Sequence, residues 1–224
     1  MTVPEGAEGR ERGGPGERAP DDARANGRGP ESVRDAARAP ESLLLHACCA
    51  PCSVYTLKAL YRSFPKVRIL LWYFNPNIHP AAEYRRRRDA LAYIHARRGA
   101  FLPPGAALSL DVSAPYRPDE FLAAAAASPR RPERCAVCYG IRIAAAARKA
   151  RQAGCEAFST TLLYSRKQGH ELIRDAGEAA AGAGGPAFLY QDFRTGWKEG
   201  RELSLKLDVY RQNYCGCLYG ETDN

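Results

Sequence analysis

Apolar positions along this chain fall into two rhythms. Short unbroken apolar runs, clearest in VRILLWYF at Val67–Phe74, alternate with longer stretches in which apolar and polar residues mix at helical spacing. An unbroken run of this length predicts a strand buried on both faces of a parallel sheet. Leu43–Ala47 predicts another such strand, and Leu108–Val112, Ala157–Thr161 and Phe188–Tyr190 predict shorter ones. Between them the pattern predicts helices over Ser53–Ser63, from Pro80 to near Gly99, over Pro118–Ala127, from Glu133 to Gly154, and over Lys167–Ala181 and Trp197–Lys206.

The punctuation agrees with these boundaries. Asn75-Pro76-Asn77 ends the second strand, and Pro80 can open a helix because a first-turn residue needs no donor. Asp119 and Glu120 favour the positive end of their helix, and Gly154 suits the position just past a helix. Gly182–Pro186 is a loop. Strand alternating with helix predicts an α/β layer fold with a mostly parallel sheet and no internal repeat. In such sheets ligands bind beyond the carboxyl ends of the strands.

Residues 1–40 do not share the pattern. They are mostly Gly, Ala, Arg, Pro, Asp and Glu, with too few large apolar side chains to offset the entropy of ordering, so a disordered low-complexity tail is expected there. They contain no apolar core of a secretory signal and too many acids for a transit peptide, which leads to the expectation of a cytoplasmic protein. Residues 41–224 are enough for a single domain with its own core, and no apolar run is long enough to span a membrane.

Removing the tail sharpens the charge. Of 33 basic and 25 acidic residues, seven and eight lie in the first forty, leaving 26 basic against 17 acidic in the remainder. The excess is clustered at Arg85-Arg86-Arg87-Arg88, Arg97-Arg98 and Arg130-Arg131 with Arg134. One cluster is commonly a solvated helix face, whereas three together fit a phosphate-backbone partner.

The cysteines carry the candidate chemistry. Seven of the eight fall in three groups: Cys48-Cys49 with Cys52, Cys135 with Cys138, and Cys215 with Cys217. Cys155 stands alone and reads as a small buried apolar residue. A disulfide framework fits poorly with a domain of this size lacking a secretory signal. Structural zinc on four thiolates and an iron–sulfur cluster both remain open. The adjacent pair Cys48-Cys49 is unusual for a zinc ribbon, whose paired ligands stand two to four residues apart. Cys49-Ala-Pro-Cys52, after a strand and opening a helix, also suits a thiol–disulfide enzyme, although such an enzyme has no use for the other five. Gly216 lets the backbone bend so that Cys215 and Cys217 can converge on a metal or form a labile disulfide.

Weaker candidates surround these groups. His46 reads as a buried hydrogen-bonded residue, while His79 follows the second strand in a loop suited to meeting substrate. Thr160, Thr161 and Ser165 follow another strand and can hydrogen-bond a ligand, and Tyr73, Phe74 and Tyr164 can stack on a base. Asp192, Arg194 and Lys198 form a polar group before Cys215. No glycine-rich nucleotide loop follows the first strand, which disfavours ATP and NAD.

Six ordered motifs, HACCAPCS, YFNPNIHPxxEYxxR, RCxVCYxxRI, FSTTLLYSxxQxHELI, DFRxGWKEG and YRQNYCGCLYG, resemble the QueH family of epoxyqueuosine reductases from about Leu43 to Tyr219. The resemblance implies a Rossmann-like α/β sheet of the HUP type. It also implies cobalamin-independent reduction of epoxyqueuosine to queuosine at the tRNA wobble position, fed by an external electron donor. It implies that Cys48, Cys49, Cys135 and Cys138 hold a [4Fe–4S] cluster. Cys215 and Cys217 would be a redox pair or ligands of a second iron, with Cys52 a further candidate ligand of that iron. His79, Tyr164 and Arg85, Arg86, Arg87 and Arg88 are the expected contacts to the nucleoside and the RNA phosphates. A non-catalytic zinc-stabilised RNA-binding module and a thiol–disulfide oxidoreductase using Cys49 and Cys52 are the alternatives.

Overall fold

The computed structural model describes residues 39–128 and 130–220. The expected disordered tail therefore lies outside the described residues, apart from Ala39 and Pro40. Five strands form one wholly parallel sheet in the order β3-β2-β1-β4-β5: β1 (Ser42–Ala47), β2 (Arg68–Tyr73), β3 (Leu108–Asp111), β4 (Ala157–Thr160) and β5 (Ala187–Phe188). Six helices flank it: α1 (Ala50–Ser63), α2 (Ala81–Ala96), α3 (Pro118–Ala126), α4 (Glu133–Gln152), α5 (His170–Ala181) and α6 (Trp197–Lys206). This is the Rossmann-like arrangement.

β1 sits at the centre, with Leu44 paired to Leu70 on one side and Phe158 on the other. Leu43, Leu44 and Leu45 are all wholly buried, although consecutive strand residues point to opposite faces, so both faces are covered. Burying each such leucine contributes roughly 2 kcal/mol, so β1 is firmly held.

Several boundaries differ from the pattern for local reasons. α1 begins at Ala50, three residues early, because Cys49 acts as its N-cap and its sulfur accepts the Cys52 N–H. A thiol is not among the usual caps, so nothing in the pattern marked this start. α5 begins at His170 rather than Lys167, because the Ser165 hydroxyl accepts the Lys167 N–H and holds a turn before the helix. β5 is only two residues long, since Ser159 donates its hydroxyl to the Leu189 carbonyl and takes that group out of the ladder. Gly154 follows α4 with φ +65, as expected of a residue just past a helix.

The chain runs outward from β1 to β2 and β3, then returns to β4 on the other side of β1. The connections leaving β1 and β4 diverge, and a crevice opens at their carboxyl ends. Cys48 and Cys49 follow one strand and Thr161 the other. Among the described residues no helix is long and apolar enough to cross a membrane.

Candidate active site

At the end of β1 the chain turns directly into α1 through Cys49, whose backbone is extended with φ −168 and ψ 164. That turn stacks three sulfurs. Cys48 Sγ lies 3.7 Å from Cys49 Sγ, which lies 2.8 Å from Cys52 Sγ, and all three fall within 4.8 Å of one another. Thr161 binds Cys48 twice: its Oγ1 accepts the Cys48 N–H at 2.9 Å and donates to the Cys48 sulfur at 3.1 Å. The sheet's switch point thereby fixes the first cysteine group through both neighbouring strands.

A cavity of about 390 Å³ opens over this group, lined by Cys48, Cys52, Cys135, Cys138, Cys215 and Cys217. Thiols separated by up to 169 positions in the chain thus face one space. Cys135 and Cys138 project from the first turns of α4. Cys155 lies outside the cavity and is half-buried rather than buried as expected.

Arg142, one helical turn beyond Cys138, is one of three buried arginines that line the cavity, with Arg87 and Arg134. Its guanidinium donates to Asn75 Oδ1 at 2.6 Å and to Cys138 Sγ at 3.8 Å, while Asn75 Nδ2 donates to the Ala47 carbonyl. Asn75, expected only as a strand breaker, thereby aims the guanidinium. The positive charge of Arg142 favours thiolate at Cys48 and Cys215, whereas at Cys138 burial outweighs it and pushes the thiol up. Cys48 is held well below the usual thiol range, first by hydrogen bonds from Cys49 and Cys52. Burial pushes the Cys49 thiol up to about 12, and the hydrogen bond with Cys48 pushes Cys52 up as well. Of the three sulfurs, Cys48 is therefore the most readily ionised.

His46 is wholly buried between Thr160 Oγ1 and the Phe74 carbonyl, each 2.9 Å away. Burial and then Arg142 lower it to about 3, so it is a neutral structural group, as its position in the strand predicted.

The C-terminal pair is held differently, by side chains. Arg87 is buried, not part of an exposed arginine face. It pairs with Glu83 at 2.7 Å and donates to the Cys215 carbonyl at 3.0 Å and the Tyr214 carbonyl at 3.3 Å. This corrects the expectation that all four consecutive arginines face RNA phosphates, because a helix turns successive side chains to different sides. Arg85 and Arg86 are exposed, and Arg88 is partly so. Gly216 adopts φ +101, and a Cβ there would press on Arg87 and Ile78 at 2.9 Å, so only glycine fits. Cys215 is lowered to about 6, first by a hydrogen bond from the Cys217 thiol, which is itself raised by the same bond.

His79 does not line the cavity. Its N–H donates to the Gly216 carbonyl at 2.8 Å and its carbonyl accepts the Tyr214 hydroxyl at 2.8 Å, so it helps dock the C-terminal loop. Tyr164 does line the cavity; it is buried, and its hydroxyl donates to the Trp197 carbonyl. Arg142, Asn75 and Trp197 escaped the reading of the sequence. The four-residue spacing of Cys138 and Arg142, which puts both on one helix face, was the available signal.

Cys48, Cys49 and Cys52 are close enough together to hold a metal. The donors are soft thiols, and the buried guanidinium of Arg142 beside them offsets part of the charge they carry when ionised. Asn77 Oδ1 and Gln212 Oε1, on residues that line the same cavity, are buried without a hydrogen-bond partner among the described residues, leaving two acceptors for a ligand.

A Rossmann-like sheet with thiols massed at its switch point marks a protein of thiol or thiolate–metal chemistry. The family model for epoxyqueuosine reductase QueH matches residues 43–223. Epoxyqueuosine reductase QueH of Dehalococcoides mccartyi is 34% identical over 179 residues, which cover 80% of this chain and 92% of that one. The protein of the same name from Streptococcus pyogenes serotype M1 is 33% identical over 187 residues, with 80% and 69% covered. That of Thermotoga maritima is 31% identical over 180 residues, with 80% and 89% covered. This chain belongs to the epoxyqueuosine reductase QueH family.

Proposed function

We propose that this protein reduces the epoxide of epoxyqueuosine at the wobble position of tRNA, yielding the alkene of queuosine without cobalamin. The observation that carries the proposal is the meeting of three sequence-distant cysteine groups around one cavity at the switch point. Cys48, Cys49, Cys135 and Cys138 would hold a [4Fe–4S] cluster, with Cys52 a ligand of a second iron. When bound, these groups would supply a Lewis acid for the epoxide oxygen and would carry single electrons from an external donor back to the cysteine pair.

The chain's own residues account for the rest. Converting an epoxide to an alkene and water takes two electrons and two protons. Cys215 and Cys217 yield both electrons as their sulfurs join in a disulfide and both C–O bonds break. Cys217 supplies one proton; water supplies the other, because Cys215 is already a thiolate near neutral pH. An external donor then returns two electrons to the pair. The anticodon loop presents its base unpaired, so the nucleoside can enter the cavity beside Tyr164. Arg85, Arg86 and Arg88 serve outlying phosphates, and His79 acts through the loop it docks. We place the reaction in the cytoplasm, where tRNA is modified.

The test is anaerobic incubation of iron-loaded protein with tRNA carrying epoxyqueuosine, followed by mass analysis of the nucleosides. The expected product is lighter by one oxygen, and a Cys135→Ser variant makes none. Full activity in Cys135→Ser would instead point to a two-cysteine enzyme using Cys49 and Cys52. A colourless zinc protein without turnover would point to a binding module.

A further inference from the structure

Trp197 is the only aromatic among the exposed large apolar side chains of the described residues, at 38% exposure, and it lines the thiol cavity. Its position is tightly constrained. Glycines stand on either side: a Cβ on Gly196 would fall inside the Tyr55 ring, and one on Gly200 would overlap the Tyr164 hydroxyl. The start of α6 is therefore pressed flat against α1 and the cavity wall. The Tyr164 hydroxyl anchors the Trp197 carbonyl at 3.1 Å. An indole fixed this way and left open to solvent is a prepared contact surface.

Its surroundings indicate the partner. The Arg166 guanidinium lies over the indole, 4.8 Å from the ring centre. Lys167, Arg201 and Arg211 are exposed and line the same cavity. Of the α2 arginines only the buried Arg87 lines this cavity, and the other three are placed elsewhere. Arg85 and Arg88 line a second cavity, of about 350 Å³, and Arg86 lies over Tyr210. Of the two basic faces, the one with Trp197 is the one that borders the thiols. Aromatic and basic side chains side by side, on a domain with a large positive excess, match unpaired RNA.

We propose that Trp197, backed by Arg166, is the platform on which a base flanking the wobble nucleoside stacks, while Lys167, Arg201 and Arg211 take the adjacent phosphates. The proposal rests on the reductase reading and names the part of the enzyme that recognises the loop around the reacting nucleoside.

The experiment measures binding of iron-loaded protein to a fluorescein-labelled anticodon stem-loop RNA with unmodified guanine at the wobble position, by anisotropy over a range of salt. Trp197→Ala weakens binding about tenfold without changing the salt slope, since stacking releases no counterion. Trp197→Phe stays within about threefold of wild type, because a phenyl ring still stacks. Arg201→Gln with Arg211→Gln lowers the salt slope by about 1.4, at roughly 0.7 per lost phosphate contact on a single strand. On stem-loops with a single abasic site, the Trp197→Ala penalty vanishes at one position beside the wobble nucleoside. A purely structural role for the indole would not produce that coupling.

The platform is overturned if Trp197→Ala binds as tightly as wild type, if Trp197→Phe loses as much as Trp197→Ala, or if the penalty persists on every abasic loop. It is also overturned if Arg85→Gln with Arg86→Gln costs more affinity than the Arg201 and Arg211 pair. Wild-type turnover on epoxyqueuosine tRNA is scored separately. Protein that binds through Trp197 but makes no queuosine supports the platform and overturns the reductase reading.

Discussion

The cysteines after β1 and those near the C-terminus face the same cavity but are held by different means. Cys48 and Cys49 follow directly on the central strand of a parallel sheet, whose ladders run to Ala47 on one side and His46 on the other, and Thr161 holds Cys48. Cys215 and Cys217 lie in a loop with no ladder of its own, secured by Arg87, Tyr214 and the His79 backbone. Sulfurs at the end of a paired strand inherit their place from the many cooperating bonds of the sheet behind them. Sulfurs in the loop depend on a few side chains, which makes their position sensitive to single substitutions and suits a pair that must change between dithiol and disulfide.

The sharpest test of the contrast is removal of one thiol from each region. Cys48→Ala is expected to lose both iron and turnover, whereas Cys217→Ala loses turnover and keeps its iron, read by metal analysis and nucleoside mass. Equal loss of iron in both would make the loop pair a ligand set and erase the distinction. Next is the clasp itself. Arg87→Ala strands a buried Glu83 and frees two loop carbonyls, so it is expected to cost about 3–5 kcal/mol in urea unfolding and to expose the C-terminal loop to protease. Arg87→Lys, which keeps the charge but not the fork, recovers only part of this.

Acid probes the sheet side. His46 is held neutral to about pH 3, against 6.5 when unfolded, so the unfolded chain takes up the proton first. Stability therefore falls as pH drops below 6.5 and continues to fall until about pH 3, with His170, also lowered by burial, adding in the same direction. Between pH 6.5 and 4 the expected loss is roughly 3 kcal/mol, and His46→Gln should flatten the curve. A wild-type curve flat over that window would contradict the buried neutral imidazole. The smallest effect is expected from Tyr214→Phe, which removes one hydrogen bond to the His79 carbonyl and costs about 1 kcal/mol. A much larger loss would mean that the loop hangs on that single hydroxyl.

Much of this organisation was legible in the chain. The unbroken apolar runs announced buried parallel strands, and their alternation with helices announced the layer fold. The grouping of cysteines announced a shared site at a strand end. Legibility failed where a side chain does an unusual job. Cys49 caps a helix, Asn75 aims a guanidinium, and Arg87, inside a run of four arginines, turns inward to clasp a distant loop. Charge runs in sequence look alike, and only the rotation of the helix about its axis separates a buried arginine from its exposed neighbours.

From sequence alone came the alternation of elements, the kinds of donor and the family resemblance, because periodicity and residue chemistry are local properties. Which sulfurs share a cavity, and which cations surround it, was decided by the tertiary structure. Those relations join residues up to 169 positions apart, and only the crossover of a parallel sheet with docking of the C-terminal loop brings them together.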